Sequence, residues 1–367
     1  MFQNSGRNPT GRRRAIRPPI LAALTAIVVA VAVTTGTTVA AGAKASPKLT
    51  SLTLEDVPFY ANAPLALAQK VGIFAHYGLK VTLETAANVN VILADLHSGL
   101  SQLGFATTPL VLNADEAGQG VKCVSPMGPA NIVNPAFPQN AVMVAKNSDI
   151  SSLKQLQGST VGLNQLAGSN ELYLQVGVQK AGGDFSQVKL ATVPFADQSA
   201  ALASGSIKAA FEVPPFIQQG EAAGQTKLLA NLDSVTAPDT TECYVATNGY
   251  IASHASVINR FAQAEDQAIL YAKAHPAAMK AEISPVSGLS QSSALALVPP
   301  KIVMTDSLAP ATMVDYESLM VTAKALNGSP IPAKQFTYIA PGTPMKKLLF
   351  GKGGKFTGGT PKGKSKK

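Results

Sequence analysis

Few residues in this 367-residue chain are spaced for chemistry. The clearest pattern is Gly358, four residues, then Gly363-Lys364-Ser365, the spacing of a phosphate-binding loop. That loop works only between a strand and a helix, which aim backbone N–H groups at phosphate. Here only Lys366 and Lys367 follow, so no phosphate site is expected from the match. The four histidines, His76, His97, His254 and His275, stand apart, without His-Glu-x-x-His spacing or a Gly-x-Ser-x-Gly elbow. His76 and His97 fall near the ends of expected helices, which suits solvated or dipole-matched roles. Cys123 and Cys243 are too few and too far apart for a zinc site or a Cys-x-x-Cys pair. In an exported chain they are expected to form a structural disulfide, the alternative being two buried thiols. Neither a nucleophile with its base, nor a metal site, nor a cofactor is expected, which favours binding over catalysis.

Binding chemistry has better candidates, all in loops. Phe59, Tyr60 and Asn62 follow the first expected strand, and an aromatic wall with one amide is typical of small-molecule pockets. Core packing is the alternative for Phe59. Thr107 and Thr108 end the third strand, where hydroxyls either enter a crevice or cap the helix begun by Pro109. Gly168-Ser169-Asn170 precedes a helix, so its N–H groups and hydroxyl suit an anion or a carbonyl, unless Ser169 is only an N-cap. Glu212 sits at a strand's carboxyl end and suits a cationic or hydroxylated group, or an ion pair between lobes.

The elements that must position these loops are announced by a repeat. Leu96, Ser98, Gly99, Phe105 and Pro109 recur as Leu202, Ser204, Gly205, Phe211 and Pro215, an offset of 106 residues. Each copy reads as a helix end, a glycine stop, a short apolar strand and a proline-started loop. Two such units predict two α/β lobes. Ligands in open α/β sheets settle beyond the carboxyl ends of strands, so Ala106–Pro109 and Glu212–Pro215 should face one crevice. Alternation predicts strands at Leu49–Val57, Leu79–Thr85 and Gln102–Ala106, with helices between them, hence a parallel sheet. Further strands are expected at Val121–Ser125, Asn140–Ala145, Thr160–Asn164, Val188–Val193, Lys208–Phe211 and Cys243–Asn248. Asp197 is the expected N-cap of a helix Gln198–Ala203. Helices are expected at His254–Ala274, Ala277–Ile283, Ser290–Val298 and Ala311–Ala325.

The net charge of +9 is concentrated at the ends. Five arginines and Lys44 lie at the start and eight lysines lie between Lys346 and Lys367, leaving 16 basic residues against all 21 acidic ones. The folded part is therefore slightly acidic, which excludes a nucleic-acid-binding face. Arg260 is the only arginine after Arg17, and the chain has no Trp. Bidentate anion capture and a Trp-built cation cage are both poorly supplied. Residues 1–45 have the layout of a secretory signal peptide: arginines, the apolar run Ile20–Val33, then an Ala-x-Ala site. The run is shorter than the roughly 20 residues that span a bilayer, although an uncleaved anchor reaching Ala43 is the alternative. The expected division is 1–45 signal, 46–142 first lobe, 143–245 second lobe, 246–350 return to the first lobe, and 351–367 a disordered basic tail.

Pro64-Leu65-Ala66-Leu67-Ala68, Gly72-Ile73-Phe74 and Tyr77-Gly78-Leu79-Lys80-Val81 resemble the nitrate, sulfonate, taurine and thiamine-precursor solute-binding proteins of ABC importers. So do Ser148–Leu153, Leu156-Gln157-Gly158, Ala200–Gly205 and Pro214-Pro215-Phe216. The resemblance runs from about Leu52 to Ala340. It implies an α/β fold of the periplasmic-binding-protein type II class, two lobes joined by a two-strand hinge near Ala141–Lys146 and Cys243–Gly249. It also implies ligand contacts at Phe59–Asn62, Thr107-Thr108, Ser169-Asn170 and Glu212–Pro214, a small-molecule ligand, and an ABC permease with its ATPase as partner. The expected location is periplasmic or at the cell surface, with membrane contact only through the partner or an uncleaved anchor. The pocket departs from the family where Asn170-Glu171-Leu172-Tyr173 replaces a Thr-x-His-Tyr stretch and Lys208 replaces an Asp. With arginine nearly absent, uncharged or amine-bearing ligands stand on equal terms with sulfonate or nitrate. Alternatives are a solute sensor without a permease and an exported enzyme on the same fold; the related thiamine-pyrimidine synthases carry a cysteine-rich motif that this chain lacks.

Overall fold

Leu52 and Leu54 alternate with more exposed neighbours, and Thr50–Asp56 forms the strand β1. Pro64 then sits in the first turn of α1 (Ala63–Lys70), where a missing N–H costs nothing. A short helix α2 (Ile73–His76), β2 (Leu79–Thr85), α3 (Val89–Ser98), β3 (Leu103–Thr107), α4 (Thr108–Glu116) and β4 (Val121–Pro126) follow. The second half repeats the plan: β5 (Ala141–Ala145), β6 (Thr160–Leu163), α5 (Ser169–Lys180), β7 (Lys189–Thr192), α6 (Phe195–Ser204), β8 (Ala209–Glu212), α7 (Phe216–Ala222) and β9 (Thr226–Asn231). The chain returns through β10 (Glu242–Thr247) to α8 (Asn248–Ala274), α9 (Pro276–Ala281) and α10 (Ile283–Ser287). The computed structural model describes residues 48–127, 138–235, 242–288, 290–292, 318–323 and 331–357. The signal segment, the phosphate-loop spacing, and most of the helices expected at Ser290–Val298 and Ala311–Ala325 lie outside these residues.

Two five-stranded sheets result, ordered β2-β1-β3-β10-β4 and β7-β6-β8-β5-β9. In each, four strands run the same way and the fourth in spatial order is antiparallel to them. The exchange between lobes makes that fourth strand: β5 enters the second sheet before its parallel set, and β10 closes the first sheet last. This is the periplasmic-binding-protein type II architecture that the resemblance implied. Gly99 and Gly205 end α3 and α6 in left-handed conformation, at φ +81° and +75°. Only the lack of a Cβ makes such a sharp exit to the next strand inexpensive.

Cys123 and Cys243 are bonded, with Cα atoms 5.6 Å apart on the adjacent strands β4 and β10. The loop this bond closes contains the whole second lobe. Helix α8 covers the first sheet; its Phe261 stacks on Phe74 at 5.9 Å and meets Tyr244 edge-on at 5.8 Å. Arg260 donates to the carbonyls of Tyr77 and Gly78 and to the Thr50 hydroxyl, so it ties α8 to the strand ends. No helix among the described residues is long and apolar enough to cross a membrane.

Three local expectations change. Asp197 lies inside the first turn of α6, whose cap is Pro194, because buried Phe195 and Gln198 draw the helix start upstream. Helix α8 begins at Asn248, capped by the Thr247 hydroxyl, and is broken at His254, which adopts non-helical angles. The first residues of the basic tail, Gly351–Thr357, are placed: Phe356 pairs with Phe350 across a β-bridge and stacks on His76 at 3.9 Å. One aromatic anchor among lysines and glycines is enough to return the chain to the first lobe.

Candidate functional site

The two repeated tips converge. Thr107, at the end of β3, and Val213-Pro214, just past β8, line one cavity of about 50 Å³ between the lobes. On the same measure a single water needs about 10–15 Å³, so the space suits a compact solute. Phe59 and Tyr60 enter it from the loop after β1, with Val57, Val89 and Phe105 behind them. Asn62 shapes that loop: its Nδ2 donates to the Val57 carbonyl at 2.8 Å. The second lobe supplies Asn164, Gln165, Ser169, Asn170, Tyr173 and Phe195. Gln139 and Asn140, leading into β5, complete one side; Asp233 accepts both of their backbone N–H groups at 2.8–3.0 Å and fixes their position.

One loop makes several hydrogen bonds between lobes. Gln165 Nε2 donates to Thr107 Oγ1 at 2.7 Å, and the Ser169 N–H reaches the same oxygen at 3.3 Å. Asn164 Nδ2 donates to Ala87 O, the Leu166 N–H to Asn90 Oδ1, and Asn113 Nδ2 to Ala167 O at 2.6 Å. The loop is shaped for this. A Cβ on Gly168 would lie 1.4 Å from Gln165 Nε2, so only glycine leaves room for the Gln165 side chain. Ala167 takes φ +58°, a conformation costing roughly 1–3 kcal/mol that surrounding contacts must offset.

The site is acidic. Glu242, the first residue of β10, stands opposite Thr107 in the strand register and lines the cavity. Desolvation pushes its carboxyl up to about 7. Tyr60 is pushed up by burial and then by the nearby Glu242 and Asp233, and its hydroxyl donates to Gln139 Oε1. Asp233 is raised by burial despite the donors around it. Among the described residues, no Lys, Arg or His lines the cavity.

Of the residues expected from sequence, Phe59, Tyr60, Thr107, Ser169, Asn170 and Pro214 come together at this cavity. Asn62, Thr108 and Glu212 are not in its wall. Asn62 supports the wall from behind, and Thr108 is buried in the first turn of α4. Glu212 is 0% exposed, neither carboxylate oxygen has a hydrogen-bond partner, and burial pushes it up to about 7. Alternation explains its absence: side chains at Glu212 and Val213 leave the chain in different directions, and Val213 takes the cavity side. Sequence reading missed Phe105, Gln139, Asn140, Asn164, Gln165, Tyr173 and Glu242. Phe105 was visible as a repeat position; Glu242 carried no signal beyond preceding Cys243. No cluster of three metal-ligating side chains occurs among the described residues.

Residues 61–279 match the family described as NMT1/THI5 like. No curated protein matches the chain. Among solved structures, it is similar to the alkanesulfonate-binding protein SsuA from Xanthomonas axonopodis pv. citri, bound to MOPS, at 20% identity over 81% of this chain and 100% of that one, TM-score 0.64. It is similar to the periplasmic nitrate-binding protein NrtA from Synechocystis PCC 6803 at 13% identity, over 80% and 87%, TM-score 0.61. The desulfurization enzyme DSZB aligns at 14% identity over 79% and 96%, TM-score 0.54. These likenesses establish fold. The family match spans more than half of the chain, and the protein belongs to the NMT1/THI5-like family.

Proposed function

We propose that this chain is an exported substrate-binding protein of an ABC importer, capturing a small organic solute between its lobes and delivering it to a permease. The observation that carries the reading is a cavity walled by both lobes, beside a loop whose bonds cross from one lobe to the other. A solute touching both walls favours the closed form by its differential affinity, and the closed form is what a permease recognises. Affinity near micromolar, about −8 kcal/mol, suits capture followed by release. The signal-like start of the sequence supports export, and a periplasmic or cell-surface location follows. Phe59, Tyr60, Thr107, Ser169, Asn170 and Pro214 are the proposed ligand contacts. The reading is of a binder, not a catalyst, although an enzyme among the structural neighbours uses the same fold.

The test is small-angle scattering of protein stripped of small molecules, before and after return of what it carried. Compaction is expected; an unchanged profile at saturation counts against closure. Thr107→Val removes the acceptor shared by Gln165 and the Ser169 N–H. It should shift the ligand-free protein toward the expanded profile by about 1–3 kcal/mol of closed-state preference.

A further inference from the structure

Building on that reading, we propose that the solute is a small organic cation, an ammonium or amidinium compound whose N–H groups bond the Glu242 carboxylate. Glu242 is in the cavity wall, yet its carboxylate has no hydrogen-bond or ion-pair partner among the described residues. The ion pair observed, Lys70–Glu282, lies elsewhere, and Arg260 is engaged at the strand ends. A half-buried carboxylate with no protein donor is costly, and a ligand N–H offsets that cost.

The neighbouring polar groups point the same way. Asn164 Nδ2 and Gln165 Nε2 donate to Ala87 O and Thr107 Oγ1, Asn140 Nδ2 donates to Asp233, and the Tyr60 hydroxyl donates to Gln139. These four donors of the wall are thus engaged within the protein. Ser169 Oγ is buried without a partner and adds one more oxygen. Phe59, Phe105, Tyr173 and Phe195 supply the aromatic faces a cation prefers. An anion would meet Glu242 and find no countercharge among the described residues of the wall.

The titratable groups that interact with Glu242 are Tyr60 from the loop after β1, Asp56 from β1, and Tyr244 on its own strand; Asp233 acts on Tyr60 beside it. None is cationic. Because desolvation holds Glu242 near 7 in the empty protein, cation binding must release its proton below that pH. Affinity should therefore rise from pH 6 to pH 8.

The full chain, stripped of small molecules, is titrated with methylguanidinium, ethanolamine and methanesulfonate, and with a low-mass yeast-extract filtrate divided on cation- and anion-exchange resins. Melting temperature, calorimetry and scattering are the readouts. The cation-exchange fraction should bind, more tightly at pH 8 than at pH 6. Glu242→Gln should weaken that binding about thirtyfold or more. Glu242→Asp, which keeps the charge, should recover part of it and guards against a folding defect in the amide variant. Binding confined to methanesulfonate or the anion-exchange fraction overturns the cation assignment, as does full binding by Glu242→Gln. If that anionic ligand also compacts the protein, the solute-binding reading stands alone. If no fraction binds and nothing compacts, both fall.

Discussion

The two lobes share a chassis and differ at their tips. Both sheets have the same strand order, both repeats end a helix on a left-handed glycine, and both place a phenylalanine on the following strand. Beyond that strand they part. The first copy runs from Thr107 straight into α4, so a hydroxyl is held at the cavity and accepts bonds from the other lobe. The second inserts Val213-Pro214 before α7 and offers only apolar surface. Each lobe also carries an acid pushed up to about 7, the half-buried Glu242 in the first and the buried Glu212 in the second. Only the first faces the cavity. A duplicated frame thus fixes where a site can be, and single residues just outside it decide what the site can hold.

The largest expected asymmetry concerns the disulfide, which the second lobe lacks. Replacing Cys123 and Cys243 by Ser opens a loop of 120 residues and should cost about 5 kcal/mol on loop-closure grounds, measured by chemical denaturation. Loss of the first lobe's protection before the second's in hydrogen exchange would sharpen the contrast. Next come the matched phenylalanines, Phe105 at 3% exposed and Phe211 at 0%. Each change to Ala should cost about 3–5 kcal/mol of stability. Phe105→Ala should also weaken ligand binding, because Phe105 lines the cavity and Phe211 does not. Equal effects on binding would break the comparison.

The acids come third. A carboxyl raised from the usual 4.5 to about 7 keeps in the folded protein a proton that the unfolded chain releases. Its contribution is harmless below about 4.5, turns unfavourable as pH rises toward about 7, and stays so above. Glu212→Gln should therefore match the parent at pH 4 and exceed its stability by roughly 3 kcal/mol at pH 8, without changing binding. Glu242→Gln should share the direction in the empty protein and differ in abolishing most cation binding. The smallest effect is expected at Gly99 and Gly205. Alanine at either forces a left-handed Cβ, at about 1–2 kcal/mol, and the two losses should agree.

Much of the frame was legible. Thr50–Asp56 and Leu79–Thr85 could be read almost to the residue, because alternation and glycine stops act over a few neighbours. The site was legible where it used the repeat or a strand-end loop, as at Phe59, Tyr60, Thr107 and Pro214. It was illegible at Gln139, Gln165 and Glu242, which belong to segments crossing between lobes and reach the cavity only after the sheets assemble. Glu212 shows the converse, an acid at the expected tip that turns into the lobe's interior.

By itself the sequence determined the local elements, the twofold plan, and the poverty of cations in the folded part, since these follow from residue type and short-range spacing. Tertiary structure alone decided which acid meets the cavity and which loop crosses the gap. Both depend on side-chain direction at a strand end and on contacts between residues 58 to 135 positions apart, which no short-range pattern encodes.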